Sequence, residues 1–183
     1  MRELYYIALL PDDKLSQLCL EYKQQAQNLF QAQAALRSPA HITLIPPFNA
    51  DERALNQITL ILAHLATQQH ELELQLKGWQ HFGVRTIYLG FAANLALSLL
   101  QAKTKQQILL LTKLHPEDKF TPHISIINRD LAEIDFNSAW EYFSSQSYPV
   151  LTKCTQLALL KHTPFGWQIH QCFNLVPEVI RHA

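Results

Sequence analysis

Glycine is scarce in this chain, with four residues in 183. Neither the phosphate loop G-x-x-x-x-G-K-[ST] nor the nucleophile elbow G-x-S-x-G occurs, so a P-loop nucleotide hydrolase, a serine hydrolase and a Rossmann enzyme all fit poorly. Cysteine is scarce too. Cys19, Cys154 and Cys172 form an odd set with no C-x-x-C pair, which suits a reduced, cytoplasmic protein rather than a disulfide framework. Net charge is absent, because Lys+Arg and Asp+Glu both total 15. Proteins that hold long nucleic acid by charge carry a basic face, so no such surface is expected here. No apolar run is long enough to span a membrane; the first, Leu4 to Leu10, ends at Pro11 and lacks the layout of a signal peptide. There is no H-E-x-x-H and no Asp/Asn-rich calcium loop, so neither a metal nor another cofactor is expected.

What remains is one domain's length of chain, 48% hydrophobic, with a regular order of elements. Leu4–Leu10 reads as a buried strand. Asp12 and Asp13 then open a helix, with Leu15, Leu18, Tyr22, Ala26 and Leu29 at helical spacing as far as about Ala35. A strand follows and stops at Pro46-Pro47. Asp51 starts a second helix, with Leu55, Ile58, Ile61, Leu62 and Leu65 inward. Leu72, Leu74 and Leu76 alternate with polar residues, predicting a strand with one wet face that Gly78 ends. Thr86–Phe91 is a strand, Leu95 to Leu114 a helix with apolar positions 95, 99, 102, 109 and 110, and Phe136–Phe143 a last helix. Two strands near Val150–Leu160 and Gly166–Leu175 close the chain, where Cys154 and Cys172 are expected to face each other as thiols.

Two segments in this order nearly repeat each other. Pro39-Ala40-His41-Ile42-Thr43-Leu44 and Thr121-Pro122-His123-Ile124-Ser125-Ile126 both read histidine, apolar, hydroxyl, apolar, and the histidines stand 82 positions apart. Residues i and i+2 of a strand share a face. Ile42 with Leu44, and Ile124 with Ile126, therefore point to a core, while His41 with Thr43 and His123 with Ser125 project from the other side. The same shift of 82 lays Leu4-Tyr5-Tyr6-Ile7 over Thr86-Ile87-Tyr88-Leu89, Asp12 over Asn94 and Asp51 over Glu133. This is a weak internal duplication. The predicted fold is α+β: a single domain over 1–183 with two pseudo-symmetric lobes, about 1–80 and 81–183, each with an antiparallel sheet. The two histidine strands face a central cleft, and the terminal strands are free to cross between lobes.

A histidine titrates near neutrality, so one neutral and one protonated imidazole on opposite sides of a phosphodiester make a base–acid pair. Hydroxyls at Thr43 and Ser125 suit the non-bridging phosphate oxygens. Such chemistry needs no metal. Phe48, directly after the proline pair, is the leading candidate to stack a base. Trp79, Phe82, Trp167 and Tyr6 read rather as core, and His162 as part of a surface turn.

His41-Ile42-Thr43-Leu44 and His123-Ile124-Ser125-Ile126 resemble the twin H-x-[ST]-x motifs of the 2H phosphoesterase superfamily. That group includes bacterial enzymes named for 2′-5′ RNA ligation and RNA 2′,3′-cyclic phosphodiesterases. The Pro39-Ala40-His41 approach and the Pro46-Pro47-Phe48 exit look like an uncharacterised bacterial branch. The resemblance implies metal-independent hydrolysis of a 2′,3′-cyclic, 2′-5′-linked or related small cyclic phosphate. His41 and His123 would be catalytic, and Thr43 and Ser125 phosphate-binding. The implied partner is a small cyclic nucleotide or an RNA end, met by a monomer. A non-catalytic module holding an RNA end or nucleotide in the same cleft is the alternative. The family pattern often has an arginine five residues after the second histidine; here Asn128 takes that place and Arg129 follows it. Within a strand that offset turns Arg129, the remaining substrate-binding candidate, to the other face.

Overall fold

The computed structural model describes residues 2–112 and 119–177. Among these residues, seven strands and four α-helices follow in the order β1 (Glu3–Pro11), α1 (Asp13–Phe30), β2 (Ile42–Ala50), α2 (Glu52–Gln68), β3 (Leu72–Phe82), β4 (Thr86–Phe91), α3 (Leu95–Ile108), β5 (His123–Asn128), α4 (Phe136–Ser144), β6 (Leu151–Thr163) and β7 (Gly166–Asn174), with a 3₁₀ turn over Ala34–Arg37. The fold is α+β, and the paired strands are all antiparallel. None of the helices among the described residues is long and apolar enough to cross a membrane.

Three helices start where the sequence places a capping side chain. Asp12, Asp51 and Asn94 each accept a hydrogen bond from the backbone N–H three residues on. The far ends differ from the sequence reading. α1 stops at Phe30 rather than near Ala35, because Gln31 takes a left-handed conformation (φ 56°) and returns its N–H to the last turn. α3 buries Leu97, Leu100, Thr104 and Ile108 and leaves Leu95 and Leu99 exposed, as is Leu110 just beyond it. Its apolar residues are spread round the helix, so their spacing could not fix which face turns inward. Regular α3 ends at Ile108, and Leu114 lies outside the described residues.

Two strands run past their expected stops. β2 continues through Pro46-Pro47, a position that the sheet tolerates because β2 is an edge strand and its register on β1 shifts between Ile45 and Phe48. β3 likewise passes Gly78, whose φ of +95° accommodates a register shift against β4. That φ favours glycine at this bulge, where a Cβ would also lie 2.6 Å from the Tyr148 hydroxyl.

The sheet order is β2-β1-β6-β3-β4-β5, with β7 also on β6. β6 pairs along one edge with β1 and along the other with β3, through Leu151–Cys154, and then with β7. Each half of the sequence thus lends strands to the other. Cys154 lies opposite Leu72 and Cys172 opposite Ala158, so the two thiols do not face one another as expected. Alternation along β1 divides the two sides of the sheet. Tyr5, Ile7 and Leu9 enter the main core with Leu15, Cys19 and Ala26 of α1, whereas Tyr6 and Ala8 join Ala158 and Leu160 in a small cluster on the opposite side.

Candidate active site

The two repeated segments converge. His41, Thr43, His123 and Ser125 line one cleft of about 590 Å³. Alternation places them there, since Ile42, Leu44, Ile124 and Ile126 on the same segments are fully buried in the core. Both histidines are half-buried, His41 immediately before β2 and His123 as the first residue of β5.

The imidazoles are held the same way. Nδ1 of His41 donates to the Pro39 carbonyl at 2.8 Å, and Nδ1 of His123 to the Thr121 carbonyl at 2.8 Å. A carbonyl only accepts, so the proton of each neutral ring sits on Nδ1. Nε2 is left as the proton-accepting nitrogen. The donor and carbonyl are two residues apart in both segments, so the 82-residue repeat extends to the hydrogen bond that orients each ring.

Their surroundings differ. Nδ1 of His41 also lies 3.2 Å from Ser38 Oγ and 3.3 Å from the Tyr6 hydroxyl, which are themselves 2.7 Å apart. His123 packs against Tyr88 and the edge of Phe82. Burial pushes the His41 pKa down to about 4; the Pro39 carbonyl opposes this, and Lys23 and His123 add to it. Burial also lowers that of His123, against the pull of the Thr121 carbonyl. Both rings are therefore neutral at pH 7 before a ligand arrives.

The other lining residues favour an anion. Lys23, Arg37 and Arg129 line the cleft, and no carboxylate does among the described residues. The chain has no net charge, yet its cleft is cationic. Arg129 is not turned away as strand alternation predicted. β5 ends at Asn128, and Arg129 adopts φ +66° with its N–H bonded to the Arg85 carbonyl, which breaks the alternation and leaves both Asn128 and Arg129 on the cleft. Among the described residues, no three histidine, cysteine or carboxylate side chains gather in a way that could hold a metal ion.

Phe48 is a correction. It is 4% exposed, packs in the core near Tyr5, and does not line the cleft. The register shift at the proline pair sets Phe48 opposite Tyr5, on the core side of β2. The aromatic wall comes instead from Trp167 and His162 on the β6–β7 hairpin, where Trp167 lies edge-on to Tyr6 at 4.5 Å and to His162 at 4.9 Å. Lys23, Ser38 and Arg37 were missed as well. No local pattern marks them, because they reach the cleft only through the packing of α1 and the 3₁₀ turn. Tyr6 had one available signal, its alignment with Tyr88 one step before the repeated histidines.

The fold has close counterparts among solved structures. Escherichia coli LigT complexed with 3′-AMP superposes with a TM-score of 0.71 at 14% identity, covering 96% of this chain and 99% of LigT. TT0787 of Thermus thermophilus gives 0.60 at 16% identity, covering 98% and 100%. A Geobacillus sp. (strain WCH70) protein described as "Putative phosphoesterase" is 26% identical over 172 residues, 92% of this chain and 94% of that protein. The family model of the 2′-5′ RNA ligase superfamily matches residues 11–164, a span that contains both histidine segments and every cationic residue of the cleft. By that match the chain belongs to the 2′-5′ RNA ligase superfamily.

Proposed function

We propose that the chain is a metal-independent phosphodiesterase that opens a 2′,3′-cyclic, 2′-5′-linked or related small cyclic phosphate by two-histidine acid–base catalysis. The observation that carries this reading is the matched pair of imidazoles on one cationic cleft, each with Nδ1 tied to a carbonyl and Nε2 left to accept a proton. One neutral histidine takes a proton from water as its oxygen bonds to phosphorus. The other, protonated once the anionic substrate is bound, gives its proton to the departing ribose oxygen as that P–O bond breaks. Thr43 and Ser125 donate to the non-bridging oxygens, and Arg129 and Arg37 balance the phosphate charge. Solved complexes of LigT with 3′-AMP, NADP+ and ATP support a nucleotide-like ligand for a fold of this shape.

The test is hydrolysis of the four nucleoside 2′,3′-cyclic monophosphates in excess chelator, with 2′- and 3′-phosphate products resolved, for wild type and the H41A/H123A variant. Turnover that survives chelation and is lost in the double variant supports the proposal. Each single alanine variant lowers kcat by about 10²–10⁴-fold. Undiminished turnover in the double variant overturns it. Tight nucleotide binding without product over hours favours the non-catalytic module instead.

A further inference from the structure

Lys23 is a buried titratable group that the two-histidine reaction leaves unused. It sits on α1 four residues from Cys19, is 3% exposed, and donates from its ammonium to the Ser38 carbonyl at 2.9 Å. Among the described residues no carboxylate forms an ion pair with it, whereas Lys153 pairs with Glu71 and Lys161 with Glu3. An ammonium held out of water by one carbonyl is unfavourable for the fold, and an apolar side chain of similar length would fill the same space.

Its place beside the site supplies a reason. Ser38 precedes Pro39, whose carbonyl receives the His41 Nδ1 proton, and the Ser38 hydroxyl itself reaches that nitrogen. Lys23 is thus bonded to the short turn that aims His41, and it also lines the cleft. The orienting bond of His123 is to the Thr121 carbonyl, with Lys105 and Lys119 lining the smaller recess beside it. The other titratable or charged groups on the His41 side are Tyr6 of β1, Arg37 of the 3₁₀ turn, His123 of β5, Arg129 beyond it and His162 of β6. Near Lys23 stand Cys19 on its own helix and, across a neighbouring cavity, Asp13 and Asp12. The Asp12 carboxylate is occupied by Leu15, Thr152 and Lys153.

We propose that Lys23 is a positioning residue for His41: it fixes the 38–41 turn and, as a buried cation, disfavours a second positive charge on that imidazole. His41 then enters hydrolysis neutral and takes the proton from water, while His123 protonates the leaving oxygen. The division of roles rests on the phosphodiesterase reading; the coupling of Lys23 to His41 does not. In keeping with the geometry, burial pushes the Lys23 pKa down to about 8.

The experiment follows the histidine ring nitrogens by NMR from pH 3.5 to 9 in wild type, K23M and K23R, without substrate. Removing the cation in K23M raises the His41 pKa by about one pH unit, leaves that of His123 in place, and is reversed in K23R. The acid limb of kcat/KM on a 2′,3′-cyclic nucleotide moves up in parallel. An unchanged His41 titration in K23M overturns the proposal. If K23M does not fold, the wild type decides. His41, and not His123, shows a second inflection as Lys23 loses its proton near pH 8, and its absence is equally fatal. A wild type without turnover fails the phosphodiesterase reading and leaves the ring titration to judge Lys23 alone.

Discussion

Tyr6 lies against His41 as Tyr88 lies against His123, with ring centroids 4.8 Å and 5.0 Å apart. The tyrosines are separated by 82 positions, as the histidines are. Their hydroxyls part company. That of Tyr6 meets Ser38 and His41, whereas that of Tyr88 donates to Gln80 Oε1 at 3.2 Å. The repeat has kept a ring under each histidine and given only one of them a polar contact with it.

Tyr6→Phe and Tyr88→Phe separate these roles. Y6F loses about 0.5–1.5 kcal/mol of stability, the worth of a buried hydrogen bond, and several-fold in kcat. Y88F retains kcat. Urea unfolding and cyclic-nucleotide hydrolysis check both, and equal loss of activity in the two variants would contradict the asymmetry.

Thr43→Val and Ser125→Ala each remove one hydroxyl from the cleft while keeping strand and core. A hydrogen bond to a charged phosphate is worth about 1.5–3 kcal/mol, so kcat/KM falls by roughly 10–150-fold in each. Circular dichroism should show the fold unchanged. Wild-type kcat/KM in both variants would remove these hydroxyls from the mechanism.

Stability depends on pH in a defined window. His41 and His123 have folded pKa values below the ordinary value near 6.5, so as pH falls below that value the unfolded chain binds protons that the folded chain refuses. Stability present above pH 6.5 is thus lost as pH drops toward 4, at a slope of up to about 1.4 kcal/mol per pH unit per histidine. Burial works against ionising Asp12, but bonds from Leu15, Lys153 and Thr152 prevail and hold its pKa below the usual carboxylate value; it adds a further loss only at lower pH. Denaturant melts at pH 7.0, 6.0 and 5.5 test this, and H41N should flatten part of the slope. A wild type equally stable at all three pH values would refute it.

Gly166 joins the β6–β7 hairpin to the 3₁₀ turn at the cleft rim. Its φ is +110°, and a Cβ there would stand 2.4 Å from the Arg37 carbonyl oxygen. Gly166→Ala therefore destabilises by about 1–3 kcal/mol and raises KM, because Arg37 and Trp167 share that rim. Thermal melts and initial rates measure both, and an unaltered melting temperature would count against the close approach.

The elements legible in the sequence were those with local causes. Capping side chains at Asp12, Asp51 and Asn94 fixed three helix starts, and period-two alternation put His41, Thr43, His123 and Ser125 on one side of their strands. What escaped depends on partners distant in sequence. Whether Pro46-Pro47 ends a strand depends on β2 lying at the sheet edge. The direction of Arg129 depends on one left-handed residue, and the burial of Phe48 on a register shift. Lys23 is 18 residues from the histidine it serves and shows no pattern of its own.

β6 has a consequence for how this chain comes into being. Among the described strands it alone pairs with both the β1–β2 pair and the β3-β4-β5 run, and it begins at Leu151. A nascent chain that has made both histidine segments still has them on separate pieces of sheet. The cleft gains its His162–Trp167 wall only when the last hairpin is added, so a product truncated before Leu151 carries both histidines but neither that wall nor the strand that unites the sheet.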